Sequence, residues 1–108
     1  MNFCDLPEYE GDTVWVTASY SGIEEYWGLN GRGCDNLSVE LGYRNGFELG
    51  DELDSLFSKV HDEYYMYNLK LEVKGVFEKG NYGHLGSNNG LFSVIEFGKV
   101  ELKRIRLK

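Results

Sequence analysis

The chain has 108 residues and a formal net charge of −7, enough for one domain with a real core but too short for two. Its apolar share of 42% and charged share of 27% are ordinary for a globular protein and argue against disorder. Fourteen glycines, a single proline and eight tyrosines favour short strands joined by tight turns.

Charge is distributed unevenly along the chain. Residues 1–54 contain 12 acids and 2 bases, whereas residues 55–108 contain 6 acids and 9 bases. An acidic protein as a whole repels phosphate backbones, so nucleic-acid binding would depend on a local basic surface. A basic protein partner needs no such surface. We therefore expect a protein partner, with a basic one favoured, and keep nucleic acid as the less favoured class.

Apolar runs fall short of the roughly 20 residues of a membrane span, and the N-terminus lacks the basic, apolar and small-residue series of a signal peptide. As supplied, the chain is expected to be soluble and cytoplasmic, while an exported or lipid-anchored mature form stays open. Cys4 and Cys34 are too far apart for a zinc knuckle. Free thiols are the favoured expectation, and a Cys4–Cys34 disulfide in an exported protein is the alternative.

The first half of the chain predicts strands separated by turn signals. Residues 1–11 hold the only proline and are expected to form an irregular lead-in. Val14, Val16 and Ala18 then alternate with neighbours on the opposite face, which predicts a strand from Asp12 onward. The later segments are a turn at 20–22, a strand at 23–29, a loop at 30–36 and a strand at 37–42.

A turn at 44–46 leads to the only convincing helix of the sequence. Asp51 is expected to cap its N-terminus, with Glu52 and Asp54 in the first turn, where acids favour the helix dipole. The helix should cover one end or face of a sheet. Its apolar stripe comprises Leu53, Leu56, Phe57, Val60 and Tyr64.

The clearest strand periodicity lies in a long hairpin near the C-terminus. Gly75, in the middle of its first strand, predicts a bend or bulge. After the loop KGNYGHLGSNNG, the apolar phase of the last strand changes near Gly98, which predicts a second bulge. One face of the first strand contains Leu69, Leu71, Val73, Gly75 and Phe77, and the last strand has Leu91, Ile95 and Phe97 before the slip and Val100 and Leu102 after it.

Three strands, a helix and two strands are the element order of the OB-fold. We therefore expect a mainly β protein with α+β content, a five-stranded OB-fold-like Greek-key barrel over residues 12–108, with the helix between strands 3 and 4. A β-grasp or cystatin-like sheet is the alternative. A doubly wound sheet is excluded because one helix cannot supply its crossovers.

The run VKGVFEKGNYGHLGSNNGLFSVIEF also carries a family resemblance. Its strand, GYGHLG-type loop and second strand resemble the final two strands of small, mostly uncharacterised bacterial OB-fold-like proteins. The resemblance covers about residues 66–105, and the loop here is lengthened by SNNG. It implies the same barrel fold.

No motif of this sequence predicts catalysis, a metal site or a cofactor. GNYGHLG has glycines spaced like a phosphate cradle, but a strand follows it where a helix would be needed. His84 has no nucleophile motif beside it, so a hydrolase is only a third hypothesis. His61, Asp62 and Glu63 point about 100° apart on a helix and do not converge on one ion.

The sequence favours a non-enzymatic acidic binding module that engages a protein partner, by analogy with bacterial immunity or inhibitor proteins. Exposed tyrosines and tryptophans would anchor that interface. The alternative is OB-fold binding of single-stranded nucleic acid or oligosaccharide, with aromatic rings stacking on the ligand. In both hypotheses the 80–90 loop is exposed for recognition. The predicted binding residues are Glu24, Glu25, Tyr26, Trp27, Tyr82, His84 and Asn88.

Overall fold

The structure is a computed structural model that describes residues 2–23, 26–34, 36–43, 50–82 and 84–104. Within these residues it confirms a mainly β protein whose helix lies between the third and fourth of five strands. The elements are a 3-10 helix at Phe3–Tyr9, β1 at Thr13–Ile23, β2 at Tyr26–Asn30, β3 at Val39–Tyr43, α1 at Asp51–Asp62, β4 at Tyr67–Tyr82, a 3-10 turn at His84–Gly86 and β5 at Asn88–Arg104.

The five strands form one sheet that closes into a ring. β1 pairs antiparallel with β2 on one side and with β4 on the other. β3 pairs antiparallel with β2 and parallel with β5, and β5 pairs antiparallel with β4. These directions place α1 at the end of the ring where β3 ends and β4 begins. The N-terminal 3-10 helix and the β4–β5 hairpin tip lie at the opposite end.

Alternate side chains of the strands fill the interior of the ring. The predicted inward residues of β4, Leu69, Leu71, Val73 and Phe77, are all buried. From α1, the predicted apolar stripe contributes two buried side chains, Phe57 and Val60. None of the helices in the described ranges is long and apolar enough to cross a membrane.

The N-terminal segment is ordered, contrary to the expectation of an irregular lead-in. Residues Phe3–Tyr9 form a 3-10 helix, and the side chain of Asn2 accepts a hydrogen bond from the backbone of Cys4 at its start. Phe3 and Leu6 are buried in the core. Burial of these two side chains holds the segment against the ring, which a sequence with proline and three acids does not indicate.

Cys4 and Cys34 form a disulfide, with their Cα atoms 5.7 Å apart. The expectation of free thiols is therefore wrong, and the alternative pairing is the one that the structure has. Packing of Phe3 explains the proximity, because its ring lies against Gly31 in the β2–β3 connection. The bond ties the N-terminal 3-10 helix to that connection.

β1 continues through the turn that was predicted at residues 20–22. Residues 19–23 pair in register with residues 30–26 of β2. Tyr20 is buried and continues the inward alternation of Val16 and Ala18. The turn prediction is wrong because burial of this ring outweighs the turn preference of the Ser–Gly pair that follows it.

The start of α1 also differs from the prediction. Gly50 occupies the N-cap position and Asp51 is the first helical residue, so the assignment of Asp51 as the cap is wrong. The acids of the first turn still favour the helix dipole. The turn predicted at 44–46 lies outside the described residues.

Gly75 marks the predicted irregularity of β4. The register between β4 and β5 shifts between Lys74 and Gly75. A Cβ atom on Gly75 would collide with the backbone carbonyl oxygen of Ser93. Glycine is thus required by the close approach of the two backbones at the bulge.

A second bulge lies beside Gly98, as predicted. From Leu71 to Val73 β4 advances by two residues, while the paired positions on β5, Val100 and Phe97, are three residues apart. The extra residue on β5 rotates the strand and changes which side chains face inward.

The buried positions of β5 before this bulge differ from the predicted set. Phe92 and Val94 are fully buried, whereas Leu91 is half-buried and Ile95 is 36% exposed. The assignment of Leu91 and Ile95 to the inner face is therefore wrong. A further register shift between β4 and β5, at Gly75, accounts for the difference, because it changes which side chains of β5 face inward.

Candidate binding surface

The β4–β5 hairpin extends further into the glycine-rich segment than the sequence indicates. β4 continues to Tyr82, which pairs with Asn88 at the start of β5. Between them, the 3-10 turn His84–Gly86 forms the tip. The segment expected to be a long loop is therefore mostly strand, with a short projecting turn.

Leu85 is the most exposed large hydrophobic residue among those described, at 84%. Its backbone is in the left-handed region, with φ of 56°. A non-glycine residue is uncommon there, and the positive φ is more often found for Asn or Asp than for leucine. The tip thus presents an apolar side chain on a strained backbone, a combination that clusters at binding sites.

The N-terminal segment lies against the base of this hairpin. The backbone amide of Gly11 donates to the carbonyl of Phe77 at 3.0 Å. The backbone amide of Lys79 donates to the carboxylate of Glu10 at 2.8 Å. Tyr9, the last residue of the 3-10 helix, is 40% exposed.

Acidic side chains surround this junction and are exposed to solvent. They come from both the N-terminal segment and β4. We call the set at the hairpin the hairpin surface. It comprises the half-buried Tyr82 and the exposed residues Glu8, Tyr9, Asp12, Glu78 and Leu85.

Asn88 does not belong to that surface. Predicted to be presented by an exposed loop, it is instead 4% exposed, so that expectation is wrong. Its amide nitrogen donates to the carbonyl of Trp27 at 3.0 Å and to the carboxylate of Glu40 at 2.9 Å. Its amide oxygen accepts from the hydroxyl of Ser38 at 2.6 Å.

The position of Asn88 explains why a polar side chain is buried there. β2 and β3 share one aligned residue pair among those described, Leu29 with Val39. Asn88 fills the remaining gap between β2, β3 and β5 and satisfies its amide with their groups. It is a residue of the fold, whose hydrogen bonds replace a missing strand ladder.

Trp27 lies at the other end of the ring, beneath α1. Its ring centroid is 5.3 Å from that of Tyr20 in a stacked arrangement and 4.3 Å from that of His61. Phe57 contacts Tyr20 edge to face at 5.1 Å. The aromatic side chain predicted for ligand stacking is thus half-buried and already packed against other rings.

Tyr20 and His61 form a hydrogen-bonded pair within this cluster, with the phenolic oxygen 2.9 Å from Nε2. Burial raises the pKa of Tyr20, helped by the nearby Tyr43 and Glu40, so the phenol stays protonated. Desolvation lowers the pKa of His61, opposed by Asp62. A neutral imidazole can accept a hydrogen bond from the phenolic hydroxyl at Nε2, so the pair links α1 to β1.

The remaining predicted residues are not brought together by the described structure. Glu24 and Glu25 lie outside the described residues. Tyr26 begins β2, paired with Ile23, and His84 begins the 3-10 turn. In the part of the chain that is described, no group of three or more His, Cys, Asp or Glu side chains is arranged to hold a metal ion.

Sequence reasoning overlooked Tyr9 and Leu85. The ring of Tyr9 is exposed at the end of the 3-10 helix. Leu85 has a signal in the sequence, because it is an apolar residue isolated among glycines and polar residues in a turn. Such a residue has no alternating neighbours that would bury it.

Comparisons of this chain with protein-family models, with curated proteins and with solved structures give no match.

Proposed function

We propose that the chain is a non-enzymatic binding module with an OB-fold-like Greek-key barrel, and that its hairpin surface engages a basic protein partner. Support for the fold comes from the ring order β1-β2-β3-β5-β4 and the helix between β3 and β4. Pairing of β1 with β4 closes the ring, which favours this fold over the open sheets of β-grasp and cystatin-like proteins.

Exposure of Leu85 at the hairpin tip is the observation that carries this proposal. An apolar side chain exposed at a hairpin tip can enter a pocket of a partner and become buried there. Burial of such a side chain gains roughly 1.5–3 kcal/mol. In the free protein the Leu85 side chain remains in water and contributes no such free energy. A partner that covers it would gain this free energy on binding.

Charge supports the choice of a basic partner. Three exposed acids, Glu8, Asp12 and Glu78, lie in the N-terminal segment and on β4, where they outnumber the one exposed base beside them, Lys79. Tyrosine is enriched at the centres of protein interfaces, and a surrounding rim with an excess of one charge sign increases the association rate with a partner of the opposite sign. This arrangement matches the analogy with acidic immunity and inhibitor proteins.

The Cys4–Cys34 disulfide supports an oxidising compartment, because structural disulfides persist mainly outside the reducing cytosol. We therefore favour the exported form over the cytoplasmic one. Intact mass measured with and without reductant, on protein isolated from its native source, tests this placement. Two free thiols in the isolated native protein would contradict it.

The protein partner can be tested by affinity capture from extracts of the source organism, followed by titration of the purified partner. Leu85→Asp is expected to weaken binding at least about tenfold, because it places a charge in the apolar contact. Ile95→Asp is the matched control, since Ile95 is also an exposed aliphatic residue but lies on β5 away from the hairpin surface. It should change binding less than about twofold.

Charge reversal at the hairpin surface provides the second arm of this test. Asp12→Lys should weaken binding, and raising the salt concentration from about 0.05 M to about 0.5 M should do the same, since both act on the rim charges. Glu96→Lys makes the same charge change elsewhere on the ring. An acidic partner, or equal effects of Leu85→Asp and Ile95→Asp, would refute the proposal.

A further inference from the structure

A groove on the outer face of the ring has the opposite charge from the hairpin surface. It runs across β1 between the end of β2 and the start of β4, and its volume is about 350 Å³. Its lining residues include Thr17, Ser19, Arg32, Asn68, Lys70 and Lys103. No acid is among the residues that line it in the described part of the chain, although the protein carries a net charge of −7.

An acid beside this groove, Glu101, is ion-paired with two lysines, and one of them, Lys103, also lines the groove. Glu101 lies opposite Lys70 in the β4–β5 register. Its carboxylate instead bridges Lys99 and Lys103, at 2.7 Å from each Nζ atom. Hydrogen bonds from Lys103 and Lys99 lower the pKa of Glu101 to about 2, so it is ionised and shared between those two bases.

Lys70 and Arg32 are consequently available to a ligand. Neither has a carboxylate within ion-pair distance among the described residues. Both cations face a shared concave surface. Two uncompensated cations in one groove are an anion-binding arrangement, because a bound anion would relieve their mutual repulsion.

Neutral donors lie beside the two cations. Ser19 pairs with Lys70 across β1 and β4, and Asn68 precedes Lys70 by two residues on the same face of β4. The side chains of Ser19 and Asn68 both line the groove. A hydroxyl and an amide can each donate to an anionic oxygen without adding charge.

The walls of the groove are fixed by the fold. Ser19, Asn68 and Lys70 lie on paired strands. The amide nitrogen of Asn30 is held by the hydroxyl of Ser21 at 2.8 Å, which fixes the end of β2. Arg32 follows in the connection that the Cys4–Cys34 disulfide ties to the N-terminal 3-10 helix.

We propose that this groove binds a phosphate or sulfate ester carried by a sugar-sized ligand. A tetrahedral oxyanion has enough oxygens to accept from Lys70, Arg32 and the Ser19 hydroxyl together, whereas a carboxylate has two. The volume lies at the small end of the range for ligand pockets, roughly 300–1,000 Å³. The site is separate from the hairpin surface and does not depend on its function.

A single ester fits better than a nucleic-acid strand. The neighbouring grooves along β1 and β4 are lined by Glu72 and Glu101. Carboxylates at both positions would repel a phosphate backbone that continued beyond the site. The positive region is therefore limited to one anionic group.

Titration with glucose 6-phosphate, glucose 6-sulfate and unmodified glucose, followed by amide chemical shifts, tests this proposal. We expect both esters to shift the signals of Ser19, Arg32 and Lys70, and glucose to shift none. A stronger response to one ester identifies phosphate or sulfate as the natural group.

Substitutions locate the site. Lys70→Glu is expected to weaken ester binding at least about tenfold, and Arg32→Ala about three- to tenfold, because each removes a charge-assisted hydrogen bond. Lys74→Glu is the matched control, since it makes the same charge change four residues further along β4, outside the groove. It should alter affinity less than about twofold.

Three outcomes would overturn the proposal. In the first, neither ester binds at concentrations up to about 10 mM. In the second, Lys70→Glu and Lys74→Glu lose ester binding equally. In the third, a single-stranded oligonucleotide binds more strongly than the esters and its binding requires Lys70. The Lys70→Glu, Arg32→Ala and Lys74→Glu variants change surface side chains. Circular dichroism spectra recorded before titration check that each variant is folded.

Discussion

At the scale of single residues, Asn88 shows how a buried amide can replace a strand ladder. Its three hydrogen bonds connect the Trp27 carbonyl, the Glu40 carboxylate and the Ser38 hydroxyl. Loss of the amide would leave groups of all three neighbours without their partner in a site that excludes water. A buried polar group deprived of its partner costs about 1–3 kcal/mol.

Asn88→Ala is therefore expected to lower the free energy of unfolding by about 3 kcal/mol, as measured by urea denaturation. Asn89→Ala is the matched control. Asn89 is exposed and accepts one hydrogen bond, from the backbone amide of Ser38 at 2.9 Å. Its loss should cost less than about 1 kcal/mol. Equal effects of the two substitutions would contradict the structural role of Asn88.

His61 gives the stability of the protein a specific pH dependence. Its pKa in the folded state is below the ordinary 6.5, chiefly because of desolvation. Above pH 6.5 both folded and unfolded chains have a neutral imidazole. As the pH falls below that value the unfolded chain binds the proton first, so the free energy of unfolding decreases until the folded-state pKa is passed.

Urea denaturation of His61→Gln and of the wild type, between about pH 7.5 and pH 5.5, measures this contribution. The wild type should lose more stability over that range than the variant. Glu101 titrates in a separate window, below its ordinary pKa of 4.5. An NMR titration of His61 with a midpoint above 6.5 would show that the sign is wrong.

Single-residue properties were predictable from the sequence only where they depend on local pattern. The alternation of β4 correctly identified Leu69 and Phe77 as core residues. The burial of Asn88 could not be predicted, because its partners Trp27 and Glu40 are 61 and 48 residues away in the chain. Exposure of Leu85 depends on how far the hairpin projects from the ring, which residue type does not determine.

At the scale of elements, the β4–β5 hairpin depends on a glycine at its bulge. Gly75→Ala would place a Cβ atom against the Ser93 carbonyl, where both groups belong to paired backbones and cannot move independently. We expect a loss of about 2–4 kcal/mol in the free energy of unfolding, since overpacking would also disrupt the register.

Gly98→Ala is the control for this substitution, on the same hairpin and also beside a bulge. Its Cβ would come nearest to the side chain of Glu72, whose end can rotate away. The expected loss is below about 1 kcal/mol. If thermal melts show the two variants to be equally destabilised, backbone proximity at Gly75 is not the cause.

The disulfide stabilises the arrangement of the N-terminal 3-10 helix and the β2–β3 connection. It joins residues 30 positions apart, and closing a loop of that size contributes about 3.6 kcal/mol. Cys4→Ala/Cys34→Ala should therefore have a lower melting temperature than the oxidised wild type.

Reductant should lower the melting temperature of the wild type and leave that of the double variant unchanged. Buried Phe3 and Leu6 keep hydrophobic contacts in both proteins, so the 3-10 helix is expected to remain docked in the variant. A wild-type melting temperature that did not change after verified reduction would contradict the stabilising role of the bond.

Element order and type followed from the sequence more accurately than element ends. Strong periodicity located α1 and β4, and glycine in mid-strand located both bulges of the hairpin. The prediction of a turn at residues 20–22 was wrong because the local turn preference of these residues is outweighed by the burial of Tyr20. Pairing of Cys4 with Cys34 depends on docking of the 3-10 helix, a tertiary event with no local signal.

At the scale of the whole molecule, the charge asymmetry of the sequence corresponds to two separate surfaces. Acids of the N-terminal segment and Glu78 lie at the hairpin surface, whereas Arg32, Lys70 and Lys103 line the outer groove. The sequence predicted acidic contacts at Glu24 and Glu25, which lie outside the described residues. It did not predict the groove, because its cations come from three separate segments that the ring brings together.

These two surfaces are expected to act independently. Leu85→Asp should leave ester binding unchanged, and Lys70→Glu should leave partner binding unchanged, since distant sites without shared contacts contribute additively. A double variant should show the product of the two single effects in each titration. A departure of more than about twofold would indicate coupling between the surfaces.

The short β2–β3 pairing has a consequence for how the protein avoids self-association. A closed ring has no edge strands, and unpaired edges are the usual template for pairing between chains. If the single Leu29–Val39 pair and the bonds of Asn88 were lost, β2 and β3 would become two free edges of an open sheet. Each could then pair with a strand of another copy, and exchange of strands or aggregation would follow. One buried amide thus helps to keep these two strand edges paired within the ring.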